Sequence, residues 1–265
     1  MTFIRPDNEG GWGVGVPPQG WVGKEHLLSG LLARLQPSWW YNWGPFIGPF
    51  DASPGYLPMI WSGDELGWER TREAMASHPN RVWLVMNEPH IVDQSNKTPA
   101  QVFEITKRFL RLAGDVGVTG QYAAYGVDMS PEGILWATDY ARLHRQHFYH
   151  RAHAYLHWHV YAADRSEWDA MWLRFDAWYR VWGADTPVII TEVGARDRGL
   201  ESQKRIMDLA REKLETDPRV VGVAWFVASR SPGGVFPNAA LSAYDSATET
   251  MKLTTLGEYW ISLKN

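Results

Sequence analysis

Eight times along this 265-residue chain, a short run of apolar residues gives way to a loop, and most of those loops lead into an apolar pattern at helical spacing. The strand-like runs cover 11–16, 38–43, 55–61, 81–87, 118–126, 154–161, 187–192 and 220–228. Helical spacing follows at 26–35, 64–77, 99–113, 131–145, 166–182, 201–215 and 255–263, with Thr98 as the cap and Pro99 in the first turn of the third helix. Strands that read as continuous apolar runs are buried on both faces, and their alternation with helices predicts a parallel sheet. The length is close to the roughly 250 residues of a closed eightfold barrel. The expected fold is therefore α/β, a single (β/α)8 TIM barrel, with residues 1–265 as one domain.

Two of the runs end on a glutamate. Trp83-Leu84-Val85-Met86-Asn87-Glu88-Pro89 closes the fourth strand, and Val188-Ile189-Ile190-Thr191-Glu192-Val193-Gly194 closes the seventh. They lie 104 residues apart (192 − 88), about 35 per β/α unit, near the roughly 31 of an average barrel. Active sites of such barrels are built at the C-terminal ends of the strands. Two carboxylates converging there are the minimum equipment for cleaving a glycosidic bond, one as acid/base and one as nucleophile or base. The competing reading is a pair of strand-end carboxylates held in structural ion pairs.

The motifs around these glutamates resemble those of glycoside hydrolase clan A. Asn87-Glu88-Pro89 on strand four and Thr191-Glu192-Val193-Gly194 on strand seven are joined by His159-Val160-Tyr161 on strand six and Ala224-Trp225-Phe226 on strand eight. The run from Asn42 to Glu192 is similar, in order, to glycoside hydrolase family 128, through Ser38-Trp39-Trp40-Tyr41-Asn42-Trp43, Tyr56-Leu57-Pro58-Met59-Ile60-Trp61 and Asp93-Gln94-Ser95-Asn96. That family implies a retaining endo-β-1,3-glucanase. Two departures touch the subsites: His90 stands where an acidic residue is usual, and strand seven ends Val-Gly where Phe is expected.

Carried over by motif, the resemblance implies Glu88 as acid/base, Glu192 as nucleophile and Asn87 as the partner of the sugar's 2-hydroxyl. It implies that Tyr161 positions Glu192, that His159 lines the cleft and that Trp225 is the floor on which a sugar stacks. Asn42, Trp43 and Trp61, at strand ends, are expected sugar contacts, with Trp39 and Trp40 as core. The expected partner is a β-glucan polysaccharide or oligosaccharide. The alternatives are a clan-A hydrolase of a β-1,4-linked glucan or mannan and a carbohydrate-binding barrel without catalysis.

Other classes are disfavoured. The net charge is −4 with no long basic run, so there is no footprint for nucleic acid or an anionic membrane, and no apolar run is long enough to span a bilayer. The absence of cysteine excludes disulfides and thiolate-held metals. No basic and then apolar leader opens the sequence, so the chain as given reads as intracellular, or as a processed or excised domain. Six histidines crowd 144–159 (His144, His147, His150, His153, His157 and His159), which raises a metal-dependent hydrolase as a rival. No carboxylate is interleaved with them and no His-Glu-x-x-His occurs, so no cofactor or metal is expected. His144 and His147 are read as a solvated helix face, and His157 as a buried neighbour of the site.

Overall fold

Parallel strands covered on both sides sort their side chains by alternation, one set into the barrel and the next under the helices. The computed structural model describes residues 11–17, 25–45, 55–148, 154–183, 185–196, 199–229 and 238–264. Its elements run β1 (Trp12–Gly15), α1 (Glu25–Leu35), β2 (Trp39–Tyr41), β3 (Met59–Ile60), a 3₁₀ turn (Asp64–Gly67), α2 (Glu69–Ser77), β4 (Trp83–Asn87), α3 (Pro99–Asp115), β5 (Tyr122–Asp128) and α4 (Pro131–Phe148). They continue with β6 (Ala154–Ala162), α5 (Arg165–Trp182), β7 (Val188–Ala195), α6 (Leu200–Thr216), β8 (Val220–Trp225), β9 (Ser242–Asp245), β10 (Thr250–Leu253) and α7 (Thr255–Ser262). All eight expected strands are present, paired in parallel in the order β2-β1-β8-β7-β6-β5-β4-β3. A parallel bridge between Trp40 and Tyr56 joins the two ends, with Leu57 N–H donating to the Trp40 carbonyl at 2.8 Å. The sheet is thereby a (β/α)8 TIM barrel.

Two apolar clusters follow from the alternation. Trp39, Tyr41, Leu57, Met59, Leu84, Ala123, Tyr155, Ile189 and Ala224 fill the interior. Trp40, Trp83, Val85, Trp158, Ile190 and Trp225 point outward to the helices. Burying each large side chain is worth roughly 1.5–3 kcal/mol, so the alternation fixes which face each strand turns inward. The helix starts follow their sequence signals: Thr98 and Gln101 form a capping box with Pro99 at the first position.

Two details differ from expectation. The helix expected over 64–77 is broken, because Trp68 has extended backbone (φ −84, ψ 131) between the 3₁₀ turn and α2. The β9–β10 hairpin had no counterpart in the strand count, and its four-residue strands alternate too briefly to be read from sequence. Among the described residues no helix is long and apolar enough to cross a membrane.

Candidate active site

The register of β6 against β7 slips between Trp158 and His159, but the extra residue, Thr191, is on β7, so Tyr155, His157, His159 and Tyr161 share the inner face of β6. Tyr161 reaches the mouth of the barrel, with His159 and His157 fully buried below it, between β4, which delivers Glu88, and β7, which delivers Glu192. The backbone where Glu88 leaves β4 is unusual. Met86 (φ 75) and Glu88 (φ 43) both have left-handed backbone, and the Glu88 amide donates to the Gly126 carbonyl at 2.6 Å. Non-glycine residues adopt that region at a cost that surrounding contacts must offset, a feature concentrated at functional sites.

The two carboxylates meet at His159. Its Nδ1 lies 3.0 Å from Glu88 Oε1 and 3.6 Å from Glu192 Oε2. Ligand-type atoms of Glu88, His159 and Glu192 all lie within 4.8 Å of one another. Glu192 accepts from Tyr161 Oη at 2.5 Å on Oε2, and on Oε1 from Trp43 Nε1 at 2.9 Å and Tyr41 Oη at 3.4 Å. Tyr41 Oη also donates to the Thr191 carbonyl at 2.8 Å, which ties it to the strand that bears Glu192.

Burial raises the pKa of Glu192, and the charge of Glu88 adds to this, while His159, Tyr161 and Trp43 pull the other way. Burial by itself lowers the proton affinity of His159. The negative charges of Glu192 and Glu88 outweigh it, so its pKa is raised. Burial and the charge of Glu192 also push Tyr41 and Tyr161 well above the usual phenol value, which keeps both as neutral donors. His157 beneath them is different. Burial, with the neighbouring His159, lowers its pKa to about 3, and it bonds Thr191 Oγ1 at 3.1 Å and the Val85 carbonyl at 3.2 Å. It is the buried, hydrogen-bonded neighbour anticipated from strand alternation.

The remaining expected site residues divide. Trp43 and Trp61 are half-buried at the mouth. Asn87 is buried, with Nδ2 on Gln94 Oε1 at 3.2 Å and its carbonyl accepting from Ser95 Oγ at 2.6 Å, while its Oδ1 has no protein partner. His159 has no exposed surface, so it does not line the cleft as expected but lies beneath the two carboxylates. Asn42 is likewise turned inward. Its Oδ1 accepts from Tyr56 Oη at 2.7 Å and Gly44 N–H at 3.1 Å, which braces the β2–β3 loop rather than facing a sugar.

Trp225 is also fully buried, with Nε1 donating to the Ala239 carbonyl at 2.7 Å. Alternation on β8 explains this: Ala224 faces the interior, Trp225 faces the helices, and Phe226 returns to the mouth. There Phe226 sits edge-on to Trp43 (5.7 Å between centroids) and Tyr161 (5.9 Å). Tyr41 and Phe226 are the site residues that sequence reading passed over, although counting in twos from Trp43 and from Ala224 reaches both.

Among the other histidines, His144 is not part of a solvated face. It is packed against Trp182 at 4.9 Å, and burial lowers its pKa to about 4. His147 is exposed, and His150 and His153 lie outside the described residues. The one His/carboxylate grouping of metal-binding size among the described residues is the Glu88–His159–Glu192 cluster itself.

A family model described as the glycosyl hydrolase catalytic core matches residues 21–260. No curated protein sequence matches significantly. Solved structures share the fold. A family 128 subgroup II endo-β-1,3-glucanase from Pseudomonas viridiflava is 24% identical, with TM-score 0.65 over 96% of this chain and 97% of that one. A subgroup I endo-β-1,3-glucanase from Amycolatopsis mediterranei, in complex with laminaripentaose, is 17% identical, with TM-score 0.69 over 96% and 99%. A subgroup VI exo-β-1,3-glucanase from Aureobasidium namibiae is 16% identical, with TM-score 0.71 over 96% and 97%.

Proposed function

Because the chain belongs to the glycosyl hydrolase catalytic core family, we propose that it hydrolyses β-1,3-glucan with retention of configuration, using Glu88 as acid/base and Glu192 as nucleophile. The observation that carries the reading is the close approach of the two carboxylates, within 4.8 Å through one oxygen each. Retaining enzymes hold their carboxyl groups about 5–5.5 Å apart, whereas inverting enzymes leave roughly 6.5–9.5 Å for a water. The β-1,3 linkage is supported by the solved glucanases that share this fold.

In the first step Glu88 protonates the glycosidic oxygen as that bond breaks, and Glu192 bonds the anomeric carbon. In the second, Glu88 takes a proton from water, whose oxygen displaces Glu192 from the sugar. The donors Tyr161, Trp43 and Tyr41 stabilise Glu192 as an anion against its burial. Asn87 Oδ1, lacking a protein partner, is the acceptor offered to the 2-hydroxyl.

His159 solves the remaining problem, which is how a half-buried and a buried carboxylate sit close together before substrate arrives. As an imidazolium it neutralises part of their charge. Its Nδ1 lies 3.0 Å from Glu88 and 3.6 Å from Glu192, so one imidazole holds both side chains in place. His159 is therefore a positioning residue rather than a substrate contact.

The test is hydrolysis of laminarin beside cellulose and mannan oligosaccharides, with the anomer of the first product read by NMR. Turnover of laminarin with a β-anomeric first product is expected. Glu88→Gln and Glu192→Gln should each abolish turnover yet still bind the oligosaccharide. No action on laminarin sinks the linkage, and an α-anomer sinks the retaining assignment.

A further inference from the structure

We infer that Trp68 is the outermost sugar-stacking subsite of a cleft that extends from the carboxylates over the β2–β3 side of the barrel, so that the enzyme grips a long glucan chain. The inference rests on the β-glucan reading above and adds a place on the molecule that the motif resemblance does not reach. Of the tryptophans among the described residues, only Trp68 is exposed, with 47% of its surface accessible. Leaving an indole in water forfeits a large burial term, and a wide, flat apolar ring with one polar edge suits the face of a pyranose.

Its position continues the site. Trp43, after β2, reaches Glu192 through Nε1 at 2.9 Å. Trp61, after β3, is half-buried, and its carbonyl accepts the Asn87 amide at 3.1 Å, which sets it level with the acid/base strand. Trp68 follows seven residues later on the same loop, at the catalytic end of the barrel, because α2 has yet to start its return. Trp43, Trp61 and Trp68 thus follow β2, follow β3 and precede α2, all at the catalytic end of the barrel, and the last is the most exposed. Val92, also exposed at 75%, lies on the neighbouring β4–α3 loop at the same end.

The loop that presents Trp68 is built rather than slack. Glu65, a buried carboxylate, accepts from Gly63 N–H at 2.9 Å and from Ser62 N–H at 3.2 Å. The Trp68 amide donates to the Glu65 carbonyl at 3.1 Å, and the Trp68 carbonyl accepts from Thr71 N–H at 3.0 Å. A buried carboxylate is costly unless it is satisfied in this way. Here it fixes a surface turn whose outstanding feature is the exposed indole. A platform held rigid in advance loses less entropy when a chain settles on it.

The experiment measures kcat and KM for laminari-oligosaccharides of increasing length and for laminarin, using wild type, Trp68→Ala and Trp68→Phe, with thermal melts to confirm folding. In wild type kcat/KM should climb with chain length. In Trp68→Ala the ratio of kcat/KM between the longest and shortest chains should fall about tenfold, through KM, and Trp68→Phe should recover most of it. An unchanged ratio in Trp68→Ala overturns the subsite even if laminarin is hydrolysed. So does a change in sedimentation with no change in that ratio, which assigns Trp68 to a protein contact. If wild type cleaves a different β-glucan, the substrate reading falls, and the same length series on that glucan decides the subsite on its own.

Discussion

Gly126, on the inner face of β5, should be intolerant of a single methyl group. A Cβ built there would lie 2.7 Å from His157 Cε1, 3.0 Å from His157 Nδ1 and 3.1 Å from His159 Nε2. Ordinary contact begins near 3.5 Å, so the rings would have to retreat by about 0.8 Å and about 0.4 Å. His157 cannot move cheaply, since Thr191 Oγ1 and the Val85 carbonyl hold it at 3.1 and 3.2 Å. A shift of that size stretches both bonds beyond hydrogen-bonding range. His159 gives way more easily because its Nε2 has no partner, but moving it disturbs the 3.0 Å contact with Glu88.

Overpacking of this kind costs about 1–3 kcal/mol, or a loss in Tm of roughly 2–4 °C per kcal/mol at this chain length. Displacing Glu88, the proposed acid/base, by a fraction of an ångström should lower kcat on the order of tenfold to a hundredfold, with KM little affected. Gly126→Ala is therefore to be compared with wild type by thermal unfolding and by laminarin kinetics. The control is Gly30→Ala in α1, where a Cβ meets nothing within 4 Å and should add about 0.5–1 kcal/mol of stability. If Gly126→Ala keeps both Tm and kcat within experimental scatter of wild type, the packing of the two imidazoles against β5 is wrong, and the role given to His159 goes with it.

Trp225, expected from its motif as the stacking floor, is buried, and Phe226, given no role by the motif, sits at the mouth instead. Trp225→Ala should cost about 3–5 kcal/mol of stability, seen as a lowered Tm, because it empties a buried site. Phe226→Ala should raise KM, since this ring sits at the mouth beside Trp43 and Tyr161, and a larger KM effect from Trp225→Ala than from Phe226→Ala would reverse the assignment. For pH, His144 has a folded pKa lowered to about 4 by burial against an unfolded value near 6.5, so the unfolded state binds the extra proton between those limits. Stability is complete above about 6.5 and falls as pH drops toward 4, by about 3 kcal/mol from this group (2.5 × 1.36). His144→Phe, which keeps a ring against Trp182, should flatten the Tm-versus-pH curve in that window, and an unflattened curve would show that His144 is not the group responsible.

How far the sequence could be read depended on where strands stay regular. Strand β6 keeps strict alternation, so Tyr161, His159 and His157 were legible as one inner face from spacing alone. The same count on β8 separates Trp225 from Phe226, and the error there came from letting motif order override the period of two. At the carboxylates the count itself fails. The register of β7 slips between Ile190 and Val193 against β8, and that of β5 slips between Ala124 and Val127 against β6. Met86 on β4, Glu88 just after it, Tyr125 on β5 and Trp43 just after β2 leave the extended region altogether. A bulge moves every following side chain to the other face, so no periodic rule could have shown Glu88 and Glu192 aimed at the same imidazole. Those irregularities are what turn two strand ends toward each other. The motif suggested the proposed chemistry, and the geometry could not be read the same way, because the two carboxylates lie where the barrel departs from ideal strands.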